Sequence, residues 1–129
     1  CLVVSRPTYL DVAAALKTLE LLRQLRASGL IILNQCPSAR QGREPRQVSS
    51  TLEALRFAGV PVAATPLRVR QAYQSALSEG QGVTEWEPRG QAAAEVRALA
   101  EIVRRKLLGE LPSRPANDAM ALAPMAARP

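Results

Sequence analysis

An unbroken run of four aliphatic residues, Leu30–Leu33, places the tightest constraint on the fold of this chain. Gly29 precedes the run and the polar pair Asn34-Gln35 follows it. A strand with one solvated face alternates apolar and polar residues, whereas a strand inside a parallel sheet is covered on both faces and is apolar throughout. The run therefore predicts a buried strand of a parallel sheet, with its carboxyl end at Asn34.

Helical patterns lie on both sides of this run. Residues 9–27 carry apolar side chains at helical spacing, and Thr8 and Asp11 have the spacing of a capping box at the start of that helix. Residues 44–59 and residues 88–108 show the same periodicity. The sequence therefore predicts three long helices.

Two further apolar segments, residues 2–4 and 60–65, predict two more strands. A short helix is expected after the third strand, ending at Gly80, and residues 83–86 are expected to be extended. Strands that alternate with helices form right-handed βαβ units. The predicted fold class is therefore α/β, a parallel β-sheet with helices on both faces, in which ligands usually lie at the carboxyl edge.

Positive charge is concentrated in the middle of the chain. The formal net charge is +6, and residues 40–70 hold six arginines against two acids. Clustered guanidinium groups displace counterions from phosphates, so a polyanionic partner is one interpretation. The alternative is that these arginines are ordinary solvated charges.

The amino-acid composition limits the kinds of catalytic and metal-binding site that the chain can form. There is no histidine, and Cys1 and Cys36 are the two cysteines. A nucleophile activated by histidine is therefore excluded, and we expect neither a metal site nor a catalytic residue. No segment approaches the length of a membrane span, so a cytoplasmic location without membrane contact is expected. The segment 112–129 is rich in Pro and Ala and predicts a flexible tail after a domain at 1–111.

Five short motifs follow one another along the chain. They are VVSRPTxxD at 3–11, LNQ at 33–35, GVPV at 59–62, LxxRxxYxxAxxxG at 67–80 and AAAEVxxLxEI at 92–102. In order and spacing they resemble the C-terminal half of the ParA/MinD-type ATPases, the deviant-Walker P-loop family that partitions plasmids and chromosomes. The resemblance covers residues 1–108 and implies a P-loop NTPase-like fold whose N-terminal P-loop half is missing from this chain.

The chain differs from that family in lacking its P-loop and Walker B motifs. The seven glycines are scattered, and none forms a KGGxGKT-like loop. The Walker B aspartate of the family would lie upstream of Cys1. The resemblance therefore implies ATP and Mg²⁺ as cofactors of an intact family member, and neither for this chain alone. The chain is then either a fragment of a longer protein or a truncated product.

The resemblance also implies roles for particular residues. In the family, an asparagine at a strand end and the turn after the next strand contact the nucleotide base, which places this role on Asn34, Pro66 and Leu67. A short amide at the edge of a parallel sheet offers a donor and an acceptor to adenine. The alternative is that Asn34 only turns the chain.

Basic residues near these loops bind DNA without sequence preference in the family. The corresponding candidates here are Arg40, Arg43, Arg46, Arg68 and Arg70. A guanidinium group meets phosphate oxygens bidentately and carries no sequence information. The alternative for each arginine is a solvated charge or an ion pair with Glu44 or Glu79.

The function implied by the resemblance is ATP-dependent DNA segregation. The partners implied are a second copy in an ATP-dependent homodimer, non-specific DNA and a centromere-binding partition protein, at the nucleoid in the cytoplasm. The alternative is a truncated, catalytically inactive basic module that binds nucleic acid or pairs with an intact ATPase. Other ParA/MinD subfamilies remain open.

Overall fold

The computed structural model describes residues 1–109. Within them lie β1 (Leu2–Ser5), α1 (Tyr9–Gln24), β2 (Leu30–Leu33), α2 (Arg46–Phe57), α3 (Gln71–Ser78), α4 (Val83–Trp86) and α5 (Gln91–Leu107). The predicted α/β class is confirmed. The predicted boundary at residue 111 and the tail at 112–129 lie outside the described residues.

The two strands are parallel, with Leu2 opposite Leu30 and Ser5 opposite Leu33. On the side away from β1, the chain makes one parallel bridge beside β2, between Ile31 and Val62, and a second just past the end of β2, between Cys36 and Arg68. The predicted third strand at 60–65 is therefore wrong as a strand, because Val62 is its one bridged residue and pairing resumes only beyond it, at Leu67 and Arg68.

Pro66 lies where the regular hydrogen-bond ladder between β2 and the segment 60–65 is interrupted. The Ile31 carbonyl accepts a hydrogen bond from the Ala63 N–H at 2.8 Å. A regular ladder would next pair the Leu33 carbonyl with residue 65. The Leu33 carbonyl accepts instead from the Leu67 N–H, also at 2.8 Å. The chain bends between these two contacts, and Pro66 within the bend has no N–H to donate.

Both faces of β2 are covered by helices, as predicted. Ile31 and Leu33 point to one face, and Leu30 and Ile32 to the other. The first pair packs against side chains of α1 and α2: Val12, Ala15, Leu16, Leu19, Val48, Leu52 and Leu55. The second pair packs with Ala63, Leu67 and two residues of α5, Leu99 and Ile102. The core of the described chain is thus centred on β2.

The first helix begins as predicted and ends three residues early. The Thr8 side chain accepts a hydrogen bond from the Asp11 N–H at 3.3 Å, which confirms Thr8 as the N-cap. At the other end, Arg26 has a φ of 56°, and the Ala27 N–H donates to the Leu22 carbonyl at 2.8 Å. This Schellman-type closure ends the helix before residue 27.

The remaining helices differ from prediction mainly at their ends. The helix expected at 44–59 covers Arg46–Phe57, and the one expected at 88–108 covers Gln91–Leu107. The extended segment predicted at 83–86 is wrong, because these residues form the one-turn helix α4. The Glu85 carboxylate accepts a hydrogen bond from the Gly82 N–H at 2.8 Å, and this contact favours the helical turn.

Candidate functional site

The three predicted base-binding residues lie close together at the carboxyl end of β2. The Cys36 N–H donates to the Leu67 carbonyl at 3.0 Å, and the Asn34 N–H donates to the Ser5 carbonyl at 2.8 Å. Pro66 is buried and Leu67 is half-buried. The fold therefore brings the turn after β2 and the turn at 66–67 side by side.

The Asn34 side chain has a local contact. Its Oδ1 accepts the N–H of Gln35 at 2.8 Å, and Gln35 has a φ of 52°. This contact stabilises the turn in the way that short amide side chains commonly do. It uses one side of the Asn34 amide, and Asn34 stays half-exposed beside an open cavity.

That cavity has a volume of about 390 Å³ and lies between the end of β1 and the start of α1. Ser5, Arg6, Asp11 and Asn34 are among its lining residues. Its size falls within the range of small-ligand sites. Pro66 and Leu67 do not line it, so the structure unites only Asn34 of the predicted base-binding set with the cavity.

An ion pair occupies one wall of this cavity. Arg6 contacts the Asp11 carboxylate through Nε at 2.9 Å and through Nη2 at 3.2 Å. The Thr8 hydroxyl donates to the same carboxylate at 2.5 Å. The hydrogen bonds from Thr8 and then Arg6 lower the pKa of Asp11. An anionic ligand at this wall has to compete with Asp11 for the Arg6 guanidinium.

The Arg68 side chain lies at the protein surface but is largely covered by its neighbours. Its side chain is 13% exposed and makes a bidentate pair with Glu44, at 2.6 Å from Nη1 to Oε1 and 2.7 Å from Nη2 to Oε2. Nη1 also donates to the Pro37 carbonyl at 2.8 Å. The hydrogen bond with Glu44 raises the pKa of Arg68 and lowers that of Glu44.

Glu95 of α5 is the centre of a second network, which is partly buried. It is 12% exposed and accepts from Arg70, at 2.9 Å from Nε and 2.5 Å from Nη2. It also accepts from the Arg68 N–H at 3.2 Å and from the Tyr73 hydroxyl at 3.3 Å. Gln91 accepts a further bond from Arg70 Nη1 at 2.6 Å. The pKa of Tyr73 is raised to about 12, mainly because the phenol is partly buried and to a lesser extent because Glu95 beside it is negatively charged.

No role was predicted for Glu95 from the sequence. Its local signal was a single acid after three alanines, two of which are buried at the start of α5. An acid beside small buried residues marks a position that can face the interior. The partners Arg68, Arg70 and Tyr73 lie more than 20 residues away along the chain, so local spacing does not identify them.

The other three predicted DNA-binding arginines differ from Arg68 and Arg70. Arg40, Arg43 and Arg46 are exposed, and within residues 1–109 none of their side chains contacts a carboxylate. Arg40 and Arg43 face each other across a two-residue turn. The five candidates therefore divide into two that contribute to internal packing and three that project into solvent.

Comparison with known proteins adds no assignment: neither protein-family models nor curated proteins match this chain. No helix among residues 1–109 is long and apolar enough to cross a membrane. The described part of the chain also contains no group of three or more His, Cys, Asp or Glu side chains placed to hold a metal ion.

Proposed function

We propose that the chain is the C-terminal portion of a ParA-family ATPase for plasmid or chromosome partition. The observation that carries the proposal is the site at the carboxyl edge of a parallel sheet. Asn34 lines a cavity there, and that cavity opens beside β1, the outer strand of the described sheet. An α/β sheet normally places its ligand in such a crevice.

The outer edge of β1 is where a missing half of the domain would attach. The N–H groups of Leu30 and Asn34 donate to the Cys1 and Ser5 carbonyls, so odd-numbered groups of β1 face β2. In a parallel strand the even-numbered groups then point outward. Among residues 1–109 the sheet has no strand on that side. A preceding half-domain could extend the sheet there, next to the cavity.

In this proposal the preceding half supplies the P-loop, the Walker B aspartate and the Mg²⁺ site. The residues of this chain would contact the base through Asn34, contribute to an ATP-dependent homodimer and bind non-specific DNA through exposed arginines at the nucleoid. A centromere-binding partner would stimulate hydrolysis. Arg68 and Arg70 would support these surfaces from inside.

The test begins with the reading frame upstream of Cys1. Continuation through an acidic strand-end motif to a glycine-rich, lysine-containing loop supports the proposal, and its absence contradicts it. In the protein encoded by that frame, DNA retention should require ATP. Asn34→Ala should weaken ATP binding about five- to tenfold, the effect of one lost hydrogen bond. Ser38→Ala, an exposed change in the same loop, should leave ATP binding unaltered.

A second candidate function is favoured by the exposed arginines alone. Arg40, Arg43 and Arg46 have no carboxylate partner within residues 1–109, which suits an ATP-independent basic module that binds nucleic acid. Such a module would bind DNA equally well with and without ATP, and its affinity would fall steeply with salt. DNA binding that appears only with ATP would reject this alternative.

A further inference from the structure

Arg40 and Arg43 are held side by side by the backbone. Each N–H donates to the other residue's carbonyl, at 3.0 Å and 2.9 Å. Gln41 and Gly42 between them have φ values of 50° and 73°. Positive φ at both central residues defines a type I′ turn, the tight turn of β-hairpins. The turn makes Arg40 and Arg43 a directly opposed pair.

Opposed residues in a hairpin send their side chains to the same face. In a pair that exchanges both hydrogen bonds, the two Cα atoms are about 5.5 Å apart. Two arginine side chains that project to one face from Cα atoms at that spacing carry like charges, and like charges directly opposite are destabilising. An anion that contacts both groups, such as a phosphate of a nucleic-acid backbone, removes this repulsion.

The base of the same loop is closed by one side chain. Arg68 donates to the Pro37 carbonyl at the start of loop 37–44 and to the Glu44 carboxylate at its end. The backbone of Arg68 is fixed in turn, because its N–H donates to Glu95 of α5. The loop that carries Arg40 and Arg43 is thus anchored to the helical core at both ends.

We propose that Glu44 and Arg68 are positioning residues that hold the Arg40–Arg43 hairpin as a two-arginine clamp for the phosphate backbone of DNA. Arg40 and Arg43 contact the phosphates, and the Glu44–Arg68 pair fixes the loop from which they project. This inference rests on the DNA-binding part of the proposed function. It adds which arginines bind directly and which residues act through them.

Substitution of Glu44 tests the proposal by the sign of its effect. Glu44→Gln makes the chain more positive by one charge and releases Arg68, so a purely electrostatic account predicts tighter DNA binding. Positioning predicts the opposite, a loss of affinity of at least threefold. The probe is a 30-base-pair duplex of arbitrary sequence. It is titrated with the protein that the complete reading frame encodes, with and without ATP, at several salt concentrations, and binding is followed by fluorescence anisotropy.

Three companion variants separate the effect of charge from the effect of position. Glu53→Gln, on the exposed side of α2, makes the same change in charge away from the loop and should bind DNA as tightly as the unmodified chain or more tightly. Arg68→Lys keeps the charge but loses the bidentate fork, and should weaken binding as Glu44→Gln does. Glu44→Asp retains a carboxylate and should recover part of the affinity.

The double variant Arg40→Ala/Arg43→Ala tests the contacts themselves. Affinity should fall more than tenfold, and the slope of log K against log salt should become shallower by about two, one for each lost phosphate contact. Unchanged binding by this variant overturns the inference. No DNA binding by the unmodified protein, with or without ATP, overturns the DNA-binding part of the proposed function and the inference with it.

A different result overturns the inference alone. If the double variant loses affinity while Glu44→Gln and Arg68→Lys bind at least as tightly as the unmodified chain, the arginines bind DNA without help from the pair. Because Arg68→Lys preserves net charge, this outcome remains measurable even if Glu44→Gln is poorly folded.

Discussion

Two neighbouring parallel strands of similar composition have opposite environments. Leu30–Leu33 is buried along its whole length, and Ile31 and Leu33 are both 0% exposed. In β1, which is paired with it residue for residue, Leu2 is 50% and Val4 is 61% exposed. The difference comes from neighbours. Among residues 1–109, β2 has chain on both sides and helices on both faces, whereas β1 has chain on one side only.

Helix α5 covers one of these strands and not the other. Leu99 and Ile102 pack on the β2 side. Towards β1 a groove of about 440 Å³ remains between Leu2 and the apolar residues of α5, among them Val103. Similar aliphatic sequences thus form a core in one strand and an open edge in the other, because burial depends on what packs against a strand.

The largest expected effect is a difference in stability loss between an alanine substitution in β2 and one in β1. Leu33→Ala should lower the free energy of unfolding by about 2–5 kcal/mol, since it removes a fully enclosed side chain and leaves a cavity. Val4→Ala, on the open strand, should change it by no more than about 0.5 kcal/mol. Urea titration followed by circular dichroism measures both. Equal losses in the two variants would mean that β1 is as enclosed as β2 in solution.

A smaller effect is expected from the polar contacts of Glu95 on α5, the helix that covers β2. Glu95→Gln should lower the free energy of unfolding by about 2–3 kcal/mol, because it leaves the Arg70 guanidinium largely buried without its opposite charge. The same urea titration measures it. Glu20→Gln, in the exposed pair with Arg23, is the matched control and should leave the urea midpoint unchanged. A neutral result at Glu95 would show that the Arg70 pair contributes nothing to folding.

The smallest effect is expected at alkaline pH, where the thiols of the two cysteines should differ in reactivity. Burial raises the pKa of Cys36 to about 11, while Cys1 before β1 is exposed. At pH 8, Ellman's reagent should react with one thiol in the folded chain and with two in denaturant. Rapid reaction of both thiols under native conditions would contradict the burial of Cys36.

The raised pKa values of Cys36 and Tyr73 determine how the stability of the folded chain changes with pH. In the folded chain the pKa values of Cys36 and Tyr73 lie above their ordinary values, so folding favours the protonated forms. Their contribution to stability is complete below pH about 9 and is lost as pH rises through about 11 and 12. The urea midpoint should therefore fall between pH 9 and pH 12, and Tyr73→Phe should reduce that fall.

Local pattern was sufficient for most of the secondary structure. The Leu30–Leu33 strand, the Thr8 cap and the three long helices follow from periodicity and capping residues within a few positions of each other. The segments at 60–65 and 83–86 were predicted wrongly. The first loses its regular pairing at a bend that contains Pro66, and the second is turned into a helix by one contact from Glu85.

The site was less predictable than the fold. The sequence alone placed Asn34 at the carboxyl end of β2, and the family resemblance grouped five arginines as DNA-binding candidates. It did not separate Arg68 and Arg70 from Arg40 and Arg43, because ion pairing depends on which acids the fold brings near. Glu44 and Glu95 are 24 and 25 residues from the arginines that they bind.

The sequence by itself determined the order of β1, α1, β2, α2, α3 and α5, since each of these elements is encoded by neighbouring residues. Tertiary structure alone decided which strand is enclosed, which arginines face solvent and how the Arg40–Arg43 hairpin is anchored. The physical reason is the same in each case. Burial and ion pairing are properties of groups that meet in space, and the groups that meet here are distant along the chain.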